Sequence, residues 1–203
     1  MGQHMDNQKV VAGVILAGGL ARRMGNQDKG LVLYKGRPLV SYPINALSGV
    51  TELILINANR NLAVYKAFGL PVIVDKSTDF AGPLAGILSA MLYTTAEILV
   101  VVPCDSPLIK AEHLHKLLKM RAKTNADVAV AFDGERLHPV FLAIKTSLRS
   151  SLQNYLDNGQ RKVEKWLKQH RVVTVDFSDQ PQVFRNINTL TELDALEAST
   201  QSQ

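Results

Sequence analysis

A glycine-rich segment followed by cations is the part of this chain whose residue types most clearly indicate chemistry. Residues 10–16 are almost wholly apolar and mostly β-branched or small, which is typical of a strand buried on both faces of a parallel sheet. The next residues are Ala17, Gly18 and Gly19, and glycines there expose backbone N–H groups with no Cβ in the way. Three cations follow: Arg22, Arg23 and Lys29. Because such cations bind phosphate oxygens and stabilise charge that moves in phosphoryl chemistry, the order predicts a polyphosphate site.

The spacing of this segment excludes two common phosphate-binding motifs. Lys29 follows Asp28 and precedes Gly30, so the pattern Gly-x-x-x-x-Gly-Lys-Ser/Thr is not present. No Gly-x-Gly-x-x-Gly follows the strand either. The segment is therefore neither a Walker A loop nor a dinucleotide-binding fingerprint.

Asp105 is the strongest candidate for a metal ligand. It follows the apolar run 98–102, which predicts a buried strand with Asp105 at its carboxyl edge. A carboxylate there can hold Mg²⁺, which bridges phosphates and neutralises developing charge. The alternative is an N-cap for a helix that begins near Lys110.

Polar residues after other predicted strands are suited to a base or a sugar. Asn57 is the last residue of the predicted strand 52–57, and Asp75 follows the strand 71–74. A carboxylate can accept from the N–H groups of a nucleobase or from ribose hydroxyls, and an amide both donates and accepts, so the residues leave the two uses open. Gly82 opens a Gly-Pro-Leu-Ala-Gly loop that either lets a ligand approach the backbone or simply starts a helix.

Further polar residues are candidates for a second substrate. Asn186 and Asn188 are two apart, so extended chain directs both to one face, where one could complete a metal or phosphate environment; a polar turn is the alternative. Arg161 could contact an anion or lie at a solvated helix start. The remaining candidates surround a predicted hairpin: Asp133, Glu135 and His138.

Strands alternate with helices along the chain, which predicts a single α/β, Rossmann-like, three-layer domain with a mostly parallel sheet and a small antiparallel portion. The antiparallel pairing is expected at the strand 139–144 after the Asp133-Gly134 turn. Pro38 predicts the start of a helix that runs to about Ser48, and Asn61 predicts a helix cap. Thr189 and Glu192 form a capping-box pattern for a last helix.

Composition bounds the function class. With 203 residues, 46% of them hydrophobic, the chain can bury one substantial core. The net charge of +5 is spread thinly, without zinc spacing, an RNA-binding aromatic motif or a basic tail, so we expect no nucleic-acid partner. Long apolar runs and a signal sequence are lacking, so we expect a cytoplasmic protein without a membrane partner. The single cysteine, Cys104, is expected to be a packing residue rather than a nucleophile.

A family resemblance joins these motifs. Leu16-Ala-Gly-Gly19, Arg22-Arg-Met-Gly25 and Asp28-Lys-Gly30 resemble the signature of nucleotidyltransferases with a Rossmann-like fold. Further matches follow in order: Asn57-Ala-Asn59, Asp75, Gly82-Pro-Leu-Ala-Gly86, Pro103-Cys-Asp105, Asp133-Gly-Glu135 with His138-Pro139, Gly159-x-Arg161 and Asn186-Ile-Asn188. The whole set, from Val10 to Leu196, is most similar to the molybdenum cofactor guanylyltransferases. Residues 1–4 resemble a cloning remnant, which leaves 5–203 as a single nucleotidyltransferase domain.

The resemblance implies a reaction and a set of site residues. GMP would pass from GTP to the phosphate of Mo-molybdopterin, forming molybdopterin guanine dinucleotide and pyrophosphate, with Mg²⁺ or Mn²⁺ at Asp105. The implied catalytic residues are Lys29, Arg23 and Asp105. The implied nucleotide-binding residues are Leu16, Ala17, Gly18, Gly19, Lys29, Asn57, Asp75, Gly82 and Asp105. Other cofactor-biosynthesis proteins and apo-molybdoenzymes are the implied protein partners.

Three alternatives remain open at this point. A sister enzyme that transfers CMP to molybdopterin differs in only a few loop contacts that spacing does not reveal. A sugar-phosphate uridylyltransferase shares Leu-Ala-Gly-Gly but usually carries additional sequence. A nucleotide-binding protein without turnover would not need both Lys29 and Asp105, which argues against it.

Overall fold

The computed structural model describes residues 10–17, 28–76 and 82–187 together with Glu192. Several predicted features lie outside these residues. They are Gly18, Gly19, Arg22, Arg23, Asn188, the segment 1–4 and the capping box at Thr189.

Strands and helices alternate along the described chain, as predicted. The strands are β1 (Val11–Leu16), β2 (Leu33–Tyr34), β3 (Arg37–Pro38), β4 (Leu53–Asn57), β5 (Val72–Ile73), β6 (Ile98–Pro103), β7 (Val128–Phe132), β8 (Leu137–Lys145) and β9 (Val172–Asp176). The helices are α1 (Ser41–Ser48), α2 (Leu62–Lys66), α3 (Pro83–Tyr93), α4 (Ala111–Lys123), α5 (Arg149–Asp157) and α6 (Val163–Leu167). Within the described ranges, no helix has the length and apolar character needed to cross a membrane.

Among the described residues, seven strands form one sheet in the order β5-β4-β1-β6-β8-β7-β9. Only β8 within this sheet runs antiparallel to its neighbours, β6 and β7, and the other pairs are parallel. This confirms the mostly parallel sheet and the antiparallel strand after the Asp133-Gly134 turn. The result is the α/β architecture that alternating strands and helices produce.

The three strands at the middle of the parallel part end at the same level. Leu16, the last residue of β1, pairs with Asn57 on β4 and with Pro103 on β6. Loops that leave the carboxyl ends of neighbouring parallel strands form a crevice, where α/β sheets bind ligands. The register therefore places Asn57 and the residues after Pro103 on either side of the chain that follows Leu16.

Two apolar cores cover the two faces of the sheet. Val14 belongs to a cluster with side chains of α3, α5 and α6, such as Met91, Leu152 and Trp166. Ile15, its neighbour in β1, points to the opposite cluster, which includes residues of α1, α2 and α4. Since successive side chains of a strand alternate between faces, the apolar run in β1 supplies both cores and holds the sheet between two helical layers.

The helix predicted to start at Pro38 begins later. Arg37 and Pro38 form β3, which pairs with β2 in a small antiparallel hairpin, and α1 starts at Ser41. Lys35 and Gly36 both have positive φ, at 48° and 73°. Two consecutive residues of this kind form the tight turn that joins hairpin strands. The prediction of a helix start at Pro38 was therefore wrong, because this turn places Pro38 in a strand.

Candidate active site

A cavity of about 360 Å³ opens at the carboxyl edge of the sheet, within the size range of small-molecule sites. Predicted site residues form much of its lining: Leu16, Ala17, Lys29, Asn57, Asp75, Gly82, Asp105 and Asn186. The other described residues of the lining are Asn59, Pro83, Pro103, Cys104 and Val140. Residues that are far apart in the chain therefore meet around one space.

Lys29 and Asp105 form an ion pair in the wall of this cavity. Lys29 Nζ lies 3.3 Å from Asp105 Oδ2, and the two side chains are 24% and 10% exposed. Burial raises the pKa of the Asp105 carboxyl group, and the Lys29 ammonium opposes that shift. Asp105 does not cap α4, because the residue before the helix is Lys110. The carboxylate is therefore directed to the cavity and its cation partner rather than to a helix end.

Asp28 fixes the turn that carries Lys29. Residues Lys29–Leu31 form a short 3-10 turn, and the buried Asp28 carboxylate accepts a hydrogen bond from the Gly30 N–H at 3.3 Å. The same carboxylate accepts from the Tyr65 hydroxyl at 2.5 Å and from Asn61 Nδ2 at 3.1 Å. Asn61 stands directly before α2, as predicted, but its side chain bonds Asp28 and caps no helix N–H.

Asp75, Asn57 and Asn59 form a hydrogen-bonded network on the other side of β1. Asn57 Nδ2 donates to Asp75 Oδ1 and Asn59 Nδ2 donates to Asp75 Oδ2, both at 2.8 Å. The Asp75 N–H donates in turn to Asn59 Oδ1 at 2.9 Å. Each carboxylate oxygen keeps acceptor capacity, since it has two lone pairs. The network thus presents an oriented carboxylate to the cavity.

Gly86 makes room for Asn57. A Cβ at position 86 would lie 2.8 Å from Asn57 Cγ and 2.9 Å from Leu16 Cδ2. Gly86 lies inside α3, where glycine costs about 1 kcal/mol relative to alanine. The close approach of α3 to the end of β4 therefore accounts for glycine at this position.

Gly82 starts a helix and also lies in the cavity wall. It precedes α3 with a φ of 70°, and Pro83 is the first helical residue. Gly82 and Pro83 both line the cavity. The positive φ explains glycine here, because other residues are strained in that conformation.

Asn186 is held beside Asp105 by a returning segment of chain. The Ile187 N–H donates to the Asp105 carbonyl at 3.2 Å, and Ser106 Oγ lies 3.2 Å from Asn186 Oδ1. Ser106 is completely buried. The segment thus brings a polar side chain from the far end of the chain to the metal candidate.

The hairpin candidates lie apart from the cavity lining. His138 Nε2 is 2.7 Å from Asp133 Oδ2, and the His138 ring stacks on Phe184 with centroids 4.5 Å apart. Hydrogen bonds from the Arg136 N–H, His138 and the Glu135 N–H hold the pKa of Asp133 well below its usual range. Asp133 is therefore an acceptor at neutral pH, so His138 Nε2 carries the proton of this bond. Glu135 itself is exposed.

Arg161 is bound at the end of α5. Its Nη1 donates to the carbonyls of Leu156 at 2.7 Å and Gln160 at 2.8 Å. An arginine that satisfies the last carbonyls of a helix complements the helix dipole. In this structure Arg161 contacts the end of α5 and is not among the residues that line the cavity.

The donor set around Asp105 suits Mg²⁺. Mg²⁺ is bound by one or two carboxylates together with waters and substrate phosphates rather than by an all-protein cage. Asp105 offers one buried carboxylate at the cavity, and the described residues hold no cluster of three or more His, Cys, Asp or Glu side chains. Phosphate oxygens would supply the remaining ligands.

Several residues of the site were not predicted from their types alone. Asn59 repeats the amide of Asn57 two positions on, and this spacing was the available signal. Asp28 stands beside Lys29 in the first motif, although its role depends on Tyr65 from α2. An aromatic residue in a predicted helix is usually interpreted as part of the hydrophobic core, so the sequence did not indicate that Tyr65 contacts Asp28.

Comparisons with known proteins agree with this geometry. The family described as the MobA-like NTP transferase domain matches residues 13–174. The molybdenum cofactor guanylyltransferase of Shewanella piezotolerans is 47% identical over 176 residues, which cover 87% of this chain and 86% of that protein. The enzyme of the same name from Shewanella sediminis is 48% identical over 176 residues, covering 87% and 90%.

A solved structure shows the same fold. Molybdopterin-guanine dinucleotide biosynthesis protein A from Archaeoglobus fulgidus matches with a TM-score of 0.78 at 23% identity, covering 96% of this chain and 100% of that one. The fold and the sequence relatives thus lead to one conclusion. The chain belongs to the MobA-like NTP transferase family and, within it, to the molybdenum cofactor guanylyltransferases.

Proposed function

We propose that this protein transfers GMP from GTP to the phosphate of Mo-molybdopterin and releases pyrophosphate. The observation that carries the proposal is one cavity with two kinds of wall. On one side Lys29 pairs with Asp105 at 3.3 Å, and on the other side Asn57 and Asn59 orient the Asp75 carboxylate. The names of the relatives supply the substrates of the proposal.

The two walls suit the two ends of a nucleotide. The Lys29 ammonium would bind phosphate oxygens, with Arg23 as a further cation on the same triphosphate. Asp75 would accept from N–H groups of guanine or from ribose hydroxyls. Leu16, Ala17 and Gly82 would lie along the nucleotide between these ends, where the backbone can be approached closely. Gly18 and Gly19 would extend this loop.

Asp105 would hold a Mg²⁺ ion, with Mn²⁺ as a substitute. The ion would supply charge neutralisation on the phosphates. Lys29 would then serve both partners, because its ammonium pairs with Asp105 before a nucleotide arrives and can bind phosphate afterwards.

The proposed reaction is an in-line displacement without a covalent enzyme intermediate. A terminal phosphate oxygen of molybdopterin forms a bond to the α-phosphorus, and the bond between that phosphorus and the bridging oxygen to the β-phosphate breaks. The nucleophile is already anionic, so no general base is required. Catalysis then rests on alignment and on charge stabilisation by residues such as Lys29.

The second substrate would bind near Asn186. This side chain lines the cavity beside Asp105, and Asn188 follows it at the same-face spacing. Four other residues stay predicted contacts of the second substrate: Asp133, Glu135, His138 and Arg161. They do not line the cavity, so the pterin would have to extend past the cavity wall to contact them. We also propose that the reaction takes place in the cytoplasm and that the product passes to apo-molybdoenzymes.

Calorimetric titration with GTP, CTP, UTP and ATP, each with Mg²⁺, tests the nucleotide part of this proposal. We expect selective GTP binding, and we expect Asp105→Ala to weaken it through loss of the cation that bridges protein and phosphates. Lys119→Ala, a change at an exposed position of α4, is the matched control and should bind GTP like the wild type. Selective CTP binding would instead identify the cytidylyl enzyme, and no nucleotide binding would contradict the proposal.

A further inference from the structure

We propose that Tyr65 and Asn61 are positioning residues that set Lys29 in the cavity by holding the Asp28 carboxylate. This inference rests on the proposed function, because it requires Lys29 to act on the transferred nucleotide's phosphates. Both residues belong to α2 or to the position directly before it. Neither of them is among the residues that line the cavity.

The Tyr65 hydroxyl is aimed at Asp28 from inside the protein. Tyr65 is completely buried and its hydroxyl lies 2.5 Å from Asp28 Oδ1. Burial is the largest cause that raises the pKa of Tyr65 far above its usual value. The hydroxyl therefore keeps its proton throughout the working pH range and acts as the donor. A bond from a neutral donor to a carboxylate is among the stronger hydrogen bonds in proteins.

Asn61 holds the second oxygen of the same carboxylate. Its Nδ2 donates to Asp28 Oδ2 at 3.1 Å, and its backbone has a φ of 50°. A left-handed conformation is uncommon outside glycine, although asparagine tolerates it better than most residues. The backbone at Asn61 thus adopts a less favoured conformation at the point where its amide contacts Asp28. Tyr65 and Asn61 together hold both oxygens of the Asp28 carboxylate.

The turn that carries Lys29 is packed against the same tyrosine. A Cβ at Gly30 would lie 2.5 Å from Tyr65 Oη and 3.3 Å from Cys104 Cβ. The Gly30 carbonyl also accepts from the Val40 N–H at 2.9 Å. The backbone on the carboxyl side of Lys29 is therefore fixed between α2 and the end of β6, while Asp28 fixes the amino side.

This arrangement links a buried hydrogen bond to the position of the Lys29 ammonium. A displacement of about 1 Å in a group that stabilises the transition state can cost about 100-fold in rate. Without the Tyr65 hydroxyl or the Asn61 amide, a buried carboxylate loses a donor and the turn is free to relax. Weaker positioning should lower kcat more than it raises KM for GTP, because Lys29 then stabilises moving charge less well.

The test compares Tyr65→Phe and Asn61→Gly with the wild type in steady-state guanylyl transfer. Glycine at position 61 keeps the positive φ available and removes the side-chain amide that bonds Asp28. The control is Tyr155→Phe, which removes the hydroxyl of another buried tyrosine, bonded to the Lys162 carbonyl at 2.9 Å. We expect kcat to fall about tenfold in the two test variants with little change in KM. The control should lower the melting temperature by a similar amount and leave kcat unchanged.

A double-mutant cycle with Lys29→Ala separates positioning from general stability. If Tyr65 acts through Lys29, adding Tyr65→Phe to Lys29→Ala should cause no further loss of kcat. An equal fractional loss in both backgrounds, or wild-type kcat in both test variants, would overturn the inference. If Lys29→Ala retained full turnover, or the wild type made no dinucleotide, the proposed function would fail and this inference with it. Loss of turnover in Lys29→Ala with full kcat in Tyr65→Phe and Asn61→Gly would reject the positioning alone.

Discussion

At the level of single residues, the candidate site depends on where side chains are short as much as on where they are charged. Gly86 lets α3 approach β4 so closely that a Cβ would lie 2.8 Å from Asn57 Cγ. Asn57 is the donor that holds one oxygen of Asp75 at 2.8 Å. The orientation of the Asp75 carboxylate thus depends in part on the absence of a side chain at Gly86 in α3.

Gly86→Ala should therefore weaken GTP binding. Crowding of this kind costs about 1–3 kcal/mol, and alanine returns about 1 kcal/mol of helix propensity, so the fold should lose little stability. Displacement of Asn57 should raise the Kd for GTP about tenfold, which corresponds to about 1.4 kcal/mol. Calorimetry with GTP and Mg²⁺ measures this change.

Gly49→Ala is the matched control for that variant. A Cβ there would lie 2.8 Å from Ala111 Cβ, in a contact between the ends of α1 and α4 that includes no cavity residue. It should lower the melting temperature and leave the Kd for GTP unchanged. A wild-type Kd in Gly86→Ala would show that Asn57 does not need its present position.

The sequence predicted some site residues and not others for a physical reason. Asn57, Asp75 and Asp105 follow apolar runs, so the direction of the strands already places them at one edge. The contact of Tyr65 with Asp28 joins residues 37 positions apart through the packing of α2. Contacts of that kind depend on how a helix docks, which no local pattern reports.

At the level of elements, the bounds of the apolar strands were predicted to within a residue or two. The error lay at a turn that the sequence did not reveal. β1 and β6 are continuous runs of apolar and small residues, which leaves little choice of structure. Pro38 suggested a helix start, but the positive φ of Lys35 and Gly36 closes a hairpin instead. A Lys-Gly turn is a weaker signal than Asn-Gly, so this hairpin was not evident from the sequence.

The edge of the sheet away from β5 is held by one carboxylate that joins three strands. Asp127, just before β7, accepts from Lys145 at the end of β8 at 2.9 Å and from Arg171 just before β9 at 3.1 Å. Hydrogen bonds from Arg171 and Lys145 hold the pKa of Asp127 well below its usual range. A depressed pKa in the folded state stabilises the protein above the pKa of the unfolded state, about 3.9.

We accordingly expect Asp127→Asn to lower stability by about 1 kcal/mol at pH 7. Because the contribution is lost as pH falls from about 4 towards the folded-state pKa, the difference in melting temperature from the wild type should shrink below pH 4. Thermal unfolding from pH 7 to pH 3 measures it. Asp179→Asn, at an exposed carboxylate, serves as the control. A difference that stayed constant with pH would contradict the ionic origin of the effect.

At the level of the whole molecule, the sheet separates two apolar cores and leaves the cavity at its edge. The class of fold followed from the alternation of strands and helices, and the place of the cavity at the sheet edge followed from the strand ends. Residues of β1, β4, β6 and α3 all contribute to the cavity. A ligand that contacts these elements together should stabilise the folded state as a unit.

GTP with Mg²⁺ should therefore raise the melting temperature of the intact protein. At 100 times its Kd, a ligand adds about 2.7 kcal/mol to the free energy of unfolding, which for a chain of this size is about 5–10 °C. Differential scanning fluorimetry with and without the nucleotide measures the shift. ATP at the same concentration should give a smaller shift, and an equal shift with both would contradict selective binding of guanine.

The most direct test of the proposed reaction is to identify the product that forms when two nucleotides compete for the enzyme. The purified protein would be incubated with Mo-molybdopterin, Mg²⁺ and equal concentrations of GTP and CTP, and the dinucleotide products separated by mass. We predict molybdopterin guanine dinucleotide in large excess, formed in step with pyrophosphate and formed much more slowly by Lys29→Ala. A cytosine dinucleotide as the main product, or no dinucleotide from either nucleotide, would contradict guanylyl transfer at this site.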